Sequence, residues 1–175
     1  MKKLFCLLLM IASSFVALAQ TSIAGVAFGS DYTSAKSILE NKYGQQKWDS
    51  DKNCIHFENK EYGGIYFNDL FFDFQYSGSR GYFNKCVFVI WCNNANEAKE
   101  RRDYIASVVG KYYDLYEKIL DNGFKMYQGG DDPTNVDNYG FFIDVLVPSG
   151  KGSPYGARLF YGPYNYVTEN FWNTK

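Results

Sequence analysis

The stretch that decides the fold is residues 65–92, IYFNDLFFDFQYSGSRGYFNKCVFVIWC. Within residues 70–76 the apolar side chains occupy alternate positions, which predicts a strand with one buried and one polar face. Residues 83–92 are apolar on both faces, which is typical of a central strand. A shorter strand is expected at residues 65–67, and a loop at residues 77–81.

One helix is predicted on each side of this stretch. Before it, Ser30 or Asp31 can accept hydrogen bonds from the amides of a first helical turn, and Gly44 provides a natural stop. After it, Asn94 or Asn96 begins a second helix with a buried apolar stripe.

The second half of the chain continues with strands. In the second helix the charged run 99–103 is expected to face solvent. Asp121-Asn122-Gly123 is a strong hairpin signal between two short strands. The further strands are predicted at residues 115–120, 124–127, 141–147 and 157–161.

The order of helix and then strands therefore occurs twice. This order predicts an α+β fold of two tandem helix-plus-antiparallel-meander units, residues 24–93 and 94–167. The two units are expected to form a continuous or paired antiparallel sheet with the helices on one face. Neither unit is long enough to bury a stable core alone, so residues 20–175 are predicted to be a single domain.

Residues 1–19 have the pattern of a secretory signal peptide. Lys2 and Lys3 precede an apolar run at residues 4–16, and Ala17-Leu18-Ala19 is the small-x-small pattern that signal peptidase recognises. We expect cleavage near Ala19 and a periplasmic or secreted protein. The run is too short for a membrane span, and no second long apolar run follows.

The charge of the remaining chain argues against nucleic acid as a partner. The sequence has 18 Lys and Arg, two of them in residues 1–19, against 19 Asp and Glu, which gives the remainder a net charge of −3. Such a chain has no basic excess to hold a phosphate backbone.

Three cysteines, Cys54, Cys86 and Cys92, follow the predicted leader. Cys86 and Cys92 fall on one predicted strand, too far apart to be bonded to each other. A disulfide would therefore join Cys54 to Cys86 or to Cys92. The alternative, which an odd count without a spacing pattern favours, is three free thiols.

Two segments carry a resemblance to known proteins. These are Ala27-Phe28-Gly29-Ser30-Asp31-Tyr32-Thr33-Ser34-Ala35-Lys36, followed by Lys42-Tyr43-Gly44, and Tyr62-Gly63-Gly64-Ile65-Tyr66-Phe67-Asn68-Asp69. Together with the tandem order, they resemble the β-lactamase-inhibitor-protein-like (BLIP-like) fold and uncharacterised small secreted proteins of Gram-negative bacteria. The resemblance implies a fold and an envelope location, but it implies no catalytic residue.

Few residues are suited to catalysis. His56 is the only histidine, which argues against histidine-rich metal sites, and no nucleophile elbow or phosphate loop is present. Cys54 and His56 share one strand face and would be the nucleophile pair of a small hydrolase. Asp73 and Asp144 are a second pair that such an enzyme would use, although we expect them to be solvent-facing acids.

No metal or cofactor is expected. The weak candidates for a metal are the loop acids Asp131, Asp132 and Asp137, whose oxygens suit calcium. Their spacing does not match the EF-hand loop and no bidentate Glu follows, so a solvated turn is the favoured explanation.

The aromatic excess, with 16 Tyr and 15 Phe, favours a non-catalytic binding module whose partner is an unknown protein or glycan. Loops 129–138 and 148–156 would contribute to its surface. An envelope scaffolding protein, monomeric or a homodimer through a strand edge, is a further alternative. The predicted aromatic binding residues are Tyr62, Tyr66, Phe71, Tyr139, Phe142, Tyr155, Tyr161 and Tyr164.

Overall fold

A computed structural model describes residues 22–47, 53–77, 80–130, 140–150 and 152–162. The two predicted helices are present as α1 (Tyr32–Tyr43) and α2 (Ala95–Val109). None of the helices in these ranges is long and apolar enough to cross a membrane. The strands are β1 (Ser22–Ile23), β2 (Val26–Ala27), β3 (Cys54–Tyr62), β4 (Ile65–Ser77), β5 (Arg80–Cys92), β6 (Tyr116–Ile119), β7 (Lys125–Gly129), β8 (Phe141–Leu146) and β9 (Tyr155–Tyr161).

Seven of these strands form one antiparallel sheet in the order β3-β4-β5-β9-β8-β7-β6, and β1 and β2 form a separate hairpin. The prediction of an α+β fold with an antiparallel sheet is therefore confirmed. The central strand β5 pairs with β9, with Phe88 opposite Leu159. This pairing joins the strands that precede α2 to those that follow it. The relation of the two halves as tandem units stays a prediction.

Both helices cover the same face of the sheet, which we call the helix face. Tyr43 of α1 contacts Phe72 of β4, which pairs with Cys86 of β5. Cys86 pairs in turn with Tyr161 of β9, and all four residues lie in one core cluster with Ile105 of α2. Side chains alternate between the faces of a strand, so this continuous register places both helices on one side.

The start of α1 is fixed by Asp31, as the sequence predicts. Its carboxylate accepts hydrogen bonds from the Ser34 amide at 3.0 Å and the Ser34 hydroxyl at 2.7 Å. The helix ends at Gly44, whose φ of 86° is a conformation that favours glycine. The Ser34 hydroxyl, followed by the Ser34 amide, lowers the pKa of Asp31 below its ordinary value of 3.8.

This lowered pKa predicts a pH dependence of stability. The contribution of Asp31 is complete above its unfolded pKa and is lost as the pH falls through the lower folded pKa. We expect acidification from about pH 5 to about pH 2 to reduce the urea midpoint more in the wild type than in Asp31→Asn, which keeps a capping oxygen but does not titrate. Equal reductions in the two proteins would contradict the assignment.

Four expectations were wrong. Residues 65–67 and 70–76 are not two strands but parts of the single strand β4. The loop predicted at residues 77–81 is shorter, because β4 includes Ser77 and β5 begins at Arg80. Arg102 of α2 does not face solvent, because its guanidinium donates to the Lys125 carbonyl at 2.9 Å and is buried against β7. Asp144 is buried as well, in an ion pair with Arg158.

Among the described residues, Cys54, Cys86 and Cys92 form no disulfide. Cys54 pairs in register with Asp73, whereas Cys86 pairs with Phe72, so the two thiols lie on opposite faces of the sheet with β4 between them. Cys92 lies at the far end of β5, against Ala98. Neither of the two bridges that the sequence left possible is formed among these described cysteines. Burial raises the pKa of the Cys86 and Cys92 thiols, which keeps them protonated.

Candidate functional site

The candidate site begins at the turn between β3 and β4. Tyr62 and Ile65 are direct partners across the hairpin, and only Gly63 and Gly64 join them. Both glycines have positive φ, 61° and 79°, as a two-residue hairpin turn that follows the twist of the strands requires. The turn therefore holds the Tyr62 and Ile65 side chains next to each other at the tip of the hairpin.

The hairpin changes which side it buries a few residues before this tip. The buried positions of β4 are Ile65, Phe67, Leu70, Phe72 and Phe74. The spacing of three between Phe67 and Leu70 breaks the alternation. Opposite this break, Asn59 of β3 has a φ of 54°, and the Asn68 side chain accepts from the Trp91 amide at 2.9 Å. The outer half of the hairpin therefore turns its other side toward the core.

This change of the buried side leaves a cleft between the tip of the β3–β4 hairpin and the end of α2. Its volume is about 230 Å³ and its walls are mostly apolar. We call it the tyrosine cleft, because four of the residues that line it are tyrosines. The lining residues are Tyr62, Gly63, Ile65, Val108, Val109, Tyr112, Tyr113, Leu159 and Tyr161.

The inner walls of the tyrosine cleft are packed against the core. The Tyr62 ring lies 4.8 Å from the Phe88 ring, measured between centroids. Tyr113 meets Phe141 edge-on at 5.1 Å, and Phe141 lies 5.2 Å from Tyr161. Such contacts restrict ring motion, so these walls are largely preformed.

Tyr112 differs from the other walls because its side chain is 77% exposed. It follows the end of α2, where the amides of Tyr112 and Tyr113 both donate to the Val109 carbonyl. A large aromatic side chain that is held by its backbone and left in solvent is available for a ligand. Tyr112 is therefore the wall that a bound group would cover.

Electrostatics add two features to the cleft. Burial raises the pKa of the Tyr161 and Tyr113 hydroxyls, so both stay neutral across the physiological range. The Lys42 ammonium lies 5.8 Å from the centroid of the Tyr62 ring, in a cation–π contact. A positive charge therefore stands beside an otherwise apolar cleft.

The predicted aromatic binding residues are distributed over both faces of the sheet. Tyr62 and Tyr161 meet at the tyrosine cleft on the helix face. Phe71 and Phe142 lie on the opposite face, which we call the far face, where Phe71 stacks on His56 and Phe142 stacks on Phe160. The role of these residues in binding stays a prediction.

Four other predicted residues are not part of the cleft. Tyr66 is exposed near the hairpin tip, and Tyr155 at the start of β9 is half-buried. Tyr139 and Tyr164 lie outside the described residues. The loop acids Asp131, Asp132 and Asp137, predicted as weak metal candidates, also lie outside them.

The far face carries the polar side chains of the sheet. Cys54 and His56 share it, as predicted, but His56 Nε2 lies 2.6 Å from Asp69 Oδ1. The second oxygen of Asp69 accepts from the Trp91 indole N–H. Asp73 lies 3.8 Å from the Lys85 ammonium, and Asp144 bonds to Arg158. The hydrolase that would use these residues stays a prediction.

The sequence analysis missed Tyr112 and Tyr113 as site residues. Their signal was present, since two adjacent tyrosines follow Val109 after only Gly110 and Lys111. The helical spacing of apolar residues predicted Tyr112 as part of the buried stripe and residues 111–113 as the end of the helix, whereas Tyr112 is exposed. What brings both to the cleft is the helix end at Val109, after which this periodicity no longer applies.

The fold and the cleft define the class of the protein as a small α+β protein with a seven-stranded antiparallel sheet, a separate two-stranded hairpin and an aromatic cleft under the tip of the β3–β4 hairpin. The chain matches no family model, and no curated protein and no solved structure is significantly similar to it.

Proposed function

We propose that the protein is a non-catalytic binding module of the periplasm or the extracellular space, and that its tyrosine cleft takes an aromatic or branched apolar side chain of a protein partner. The observation that carries the proposal is the cleft itself, which has preformed aromatic walls and one exposed tyrosine. Concave, mostly apolar sites of this kind are the usual binding sites of proteins.

The size of the cleft fits a single side chain. A cavity of about 150 Å³ is enough to hold benzene in an engineered protein core. The tyrosine cleft, at about 230 Å³, therefore has room for one substituted ring or a branched aliphatic group. Aromatic anchors that enter such pockets supply much of the affinity of protein interfaces.

The chemistry of the walls favours a protein over a glycan. A sugar ring would bring several hydroxyls into the cleft, each of which needs a hydrogen-bonding partner once it is buried. Among the residues that the structure describes, the polar side-chain groups that line the cleft are tyrosine hydroxyls. The Lys42 ammonium beside Tyr62 further favours a partner with an acidic residue next to its anchor.

The location is supported by the sequence of residues 1–19 and by the resemblance to BLIP-like proteins and small secreted proteins. The relation of residues 24–93 and 94–167 as two tandem units of that fold is part of the same proposal.

The proposal predicts binding of small aromatic probes. We expect indole and p-cresol to bind in a titration followed by two-dimensional NMR, with shifted resonances from residues 62–65 and 108–113. Tyr112→Ala is expected to weaken this binding about threefold to tenfold, because it removes one aromatic contact from the bound ring.

Tyr116→Ala is the matched control, because Tyr116 is a tyrosine of similar exposure, 70%, that does not line the cleft. Its probe affinity should equal that of the wild type. Equal losses in the two variants, or binding of N-acetylglucosamine in place of indole, would rule out the proposed occupant.

A further inference from the structure

A second cluster of side chains lies on the far face, at the base of the β3–β4 hairpin. His56, Glu58 and Asp69 each offer a ligand atom, and these three atoms lie within 4.8 Å of one another. His56, the only histidine of the chain, is buried and only 2% exposed. The side chain of Glu58 is more than one-third exposed, so the cluster is open to solvent on one side.

The register makes the two acids of this cluster direct neighbours. Glu58 of β3 and Asp69 of β4 are partners across the antiparallel pair. Like charges directly opposite each other on two strands repel and destabilise the sheet. The Lys47 ammonium beside Glu58 offsets part of this repulsion. A divalent cation between the two carboxylates would offset it further, and the imidazole beside them would add a neutral nitrogen ligand.

The surroundings fix each group in place. Phe71 stacks on the His56 ring, with a centroid distance of 4.4 Å and an interplanar angle of 9°. The Trp91 indole N–H holds one oxygen of Asp69, and the Lys47 ammonium holds Oε1 of Glu58. Hydrogen bonds to the outer oxygens of ligating carboxylates are the typical support of protein metal sites.

We propose that His56, Glu58 and Asp69 bind a divalent transition-metal ion, with Zn²⁺ as the best fit. One imidazole nitrogen and two carboxylate oxygens suit zinc, whereas calcium and magnesium prefer oxygen ligands alone. Three protein ligands leave a fourth tetrahedral position for water. The site is separate from the tyrosine cleft, which lies on the helix face.

Binding requires only small movements of these side chains. His56 Nε2 and Asp69 Oδ1 are 2.6 Å apart, and neighbouring ligand atoms of a tetrahedral zinc ion are about 3.3 Å apart. The ion replaces the hydrogen bond between these two atoms and takes the lone pair of Nε2, any displaced proton passes to solvent, and the bound neutral imidazole carries its one proton on Nδ1. Glu58 ligates through Oε2 while Lys47 stays on Oε1.

The test is an isothermal titration calorimetry experiment. The protein is purified, treated with EDTA to remove bound metal, and then titrated with ZnCl₂. We expect binding of one ion per chain and no comparable binding of Ca²⁺. Glu58→Gln is expected to weaken zinc binding about tenfold or more, because it replaces a charged ligand with a neutral one.

Glu117→Gln is the matched control, because Glu117 is also an exposed strand glutamate paired with a lysine, Lys125, at 2.8 Å. It should leave zinc binding unchanged. Asp69→Asn, checked for folding by circular dichroism, should abolish binding. With Co²⁺ in place of zinc, the absorption spectrum should show no thiolate charge-transfer band.

Three outcomes would overturn the proposal. These are no zinc binding up to about 1 mM, equal affinities of Glu58→Gln and the wild type, and loss of binding in Cys54→Ala with a thiolate band in the cobalt spectrum. Binding of indole in the tyrosine cleft is measured independently, so failure of the metal site leaves the proposed function standing.

Discussion

Replacing Phe88 with alanine is expected to lower the free energy of unfolding by about 3–5 kcal/mol. Phe88 is fully buried on the central strand β5. Its ring lies 5.5 Å from both the Phe67 and the Phe72 rings, and 4.8 Å from Tyr62. Truncation removes the apolar burial of a whole ring and leaves a cavity that these neighbours cannot fill without moving.

Urea denaturation at neutral pH measures this loss, provided that the dependence of the free energy on urea stays unchanged. Tyr116→Ala is again the control, because an exposed aromatic on the edge strand β6 should change stability by no more than about 0.5 kcal/mol. A loss below about 2 kcal/mol for Phe88→Ala would show that the core relaxes around the missing ring.

Phe88→Ala also connects the core to the tyrosine cleft. Phe88 supports Tyr62 from behind and lies 6.3 Å from Tyr161, so two walls of the cleft rest on it. A variant that still folds should therefore bind indole more weakly than the wild type, since its walls are no longer held in place.

The local elements were predictable because each depends on a short run of residues. Asp31 and Gly44 bound α1 through capping that involves only neighbouring positions. The turn at residues 121–123 likewise places β6 beside β7. The apolar residues 83–92 indicated a central strand, and β5 does lie inside the sheet, between β4 and β9.

The candidate sites were less predictable because they depend on register between strands. The break in alternation between Phe67 and Leu70 was visible in the sequence, and it was interpreted as a gap between two strands. The structure shows instead a single strand that changes the side it buries. This depends on the positive φ of Asn59 on the partner strand β3 and on the hydrogen bond from the Trp91 amide of β5 to Asn68. The opposition of Glu58 and Asp69 is a product of the same register.

The burial of Asp144 was also unpredictable from the sequence, because it depends on a partner on the neighbouring strand. An acid in an alternating strand is expected to face solvent. The structure buries it because Arg158, 14 residues later, lies directly opposite on β9. Their side chains form two parallel hydrogen bonds, 2.9 Å from Nε and 2.7 Å from the terminal nitrogen, and the guanidinium lies 4.9 Å from the Phe142 ring centroid.

Arg158→Met is therefore expected to lower the free energy of unfolding by about 3–5 kcal/mol, because it leaves the Asp144 carboxylate buried without its cation. Methionine keeps most of the side-chain length, so the loss reports the charge more than the packing. Chemical denaturation of the variant and the wild type measures the difference.

The double variant Arg158→Met, Asp144→Leu separates this explanation from a simple loss of contacts. Apolar residues of similar size often replace a buried ion pair at little cost, so the double variant should recover most of the stability that Arg158→Met loses. If the double variant were less stable than Arg158→Met, the hydrogen bonds of the Asp144–Arg158 pair would make a net contribution to the free energy of unfolding. The expected recovery would instead mean that the pair mainly fixes the register of β8 on β9, because any other register leaves one of the two charges buried alone.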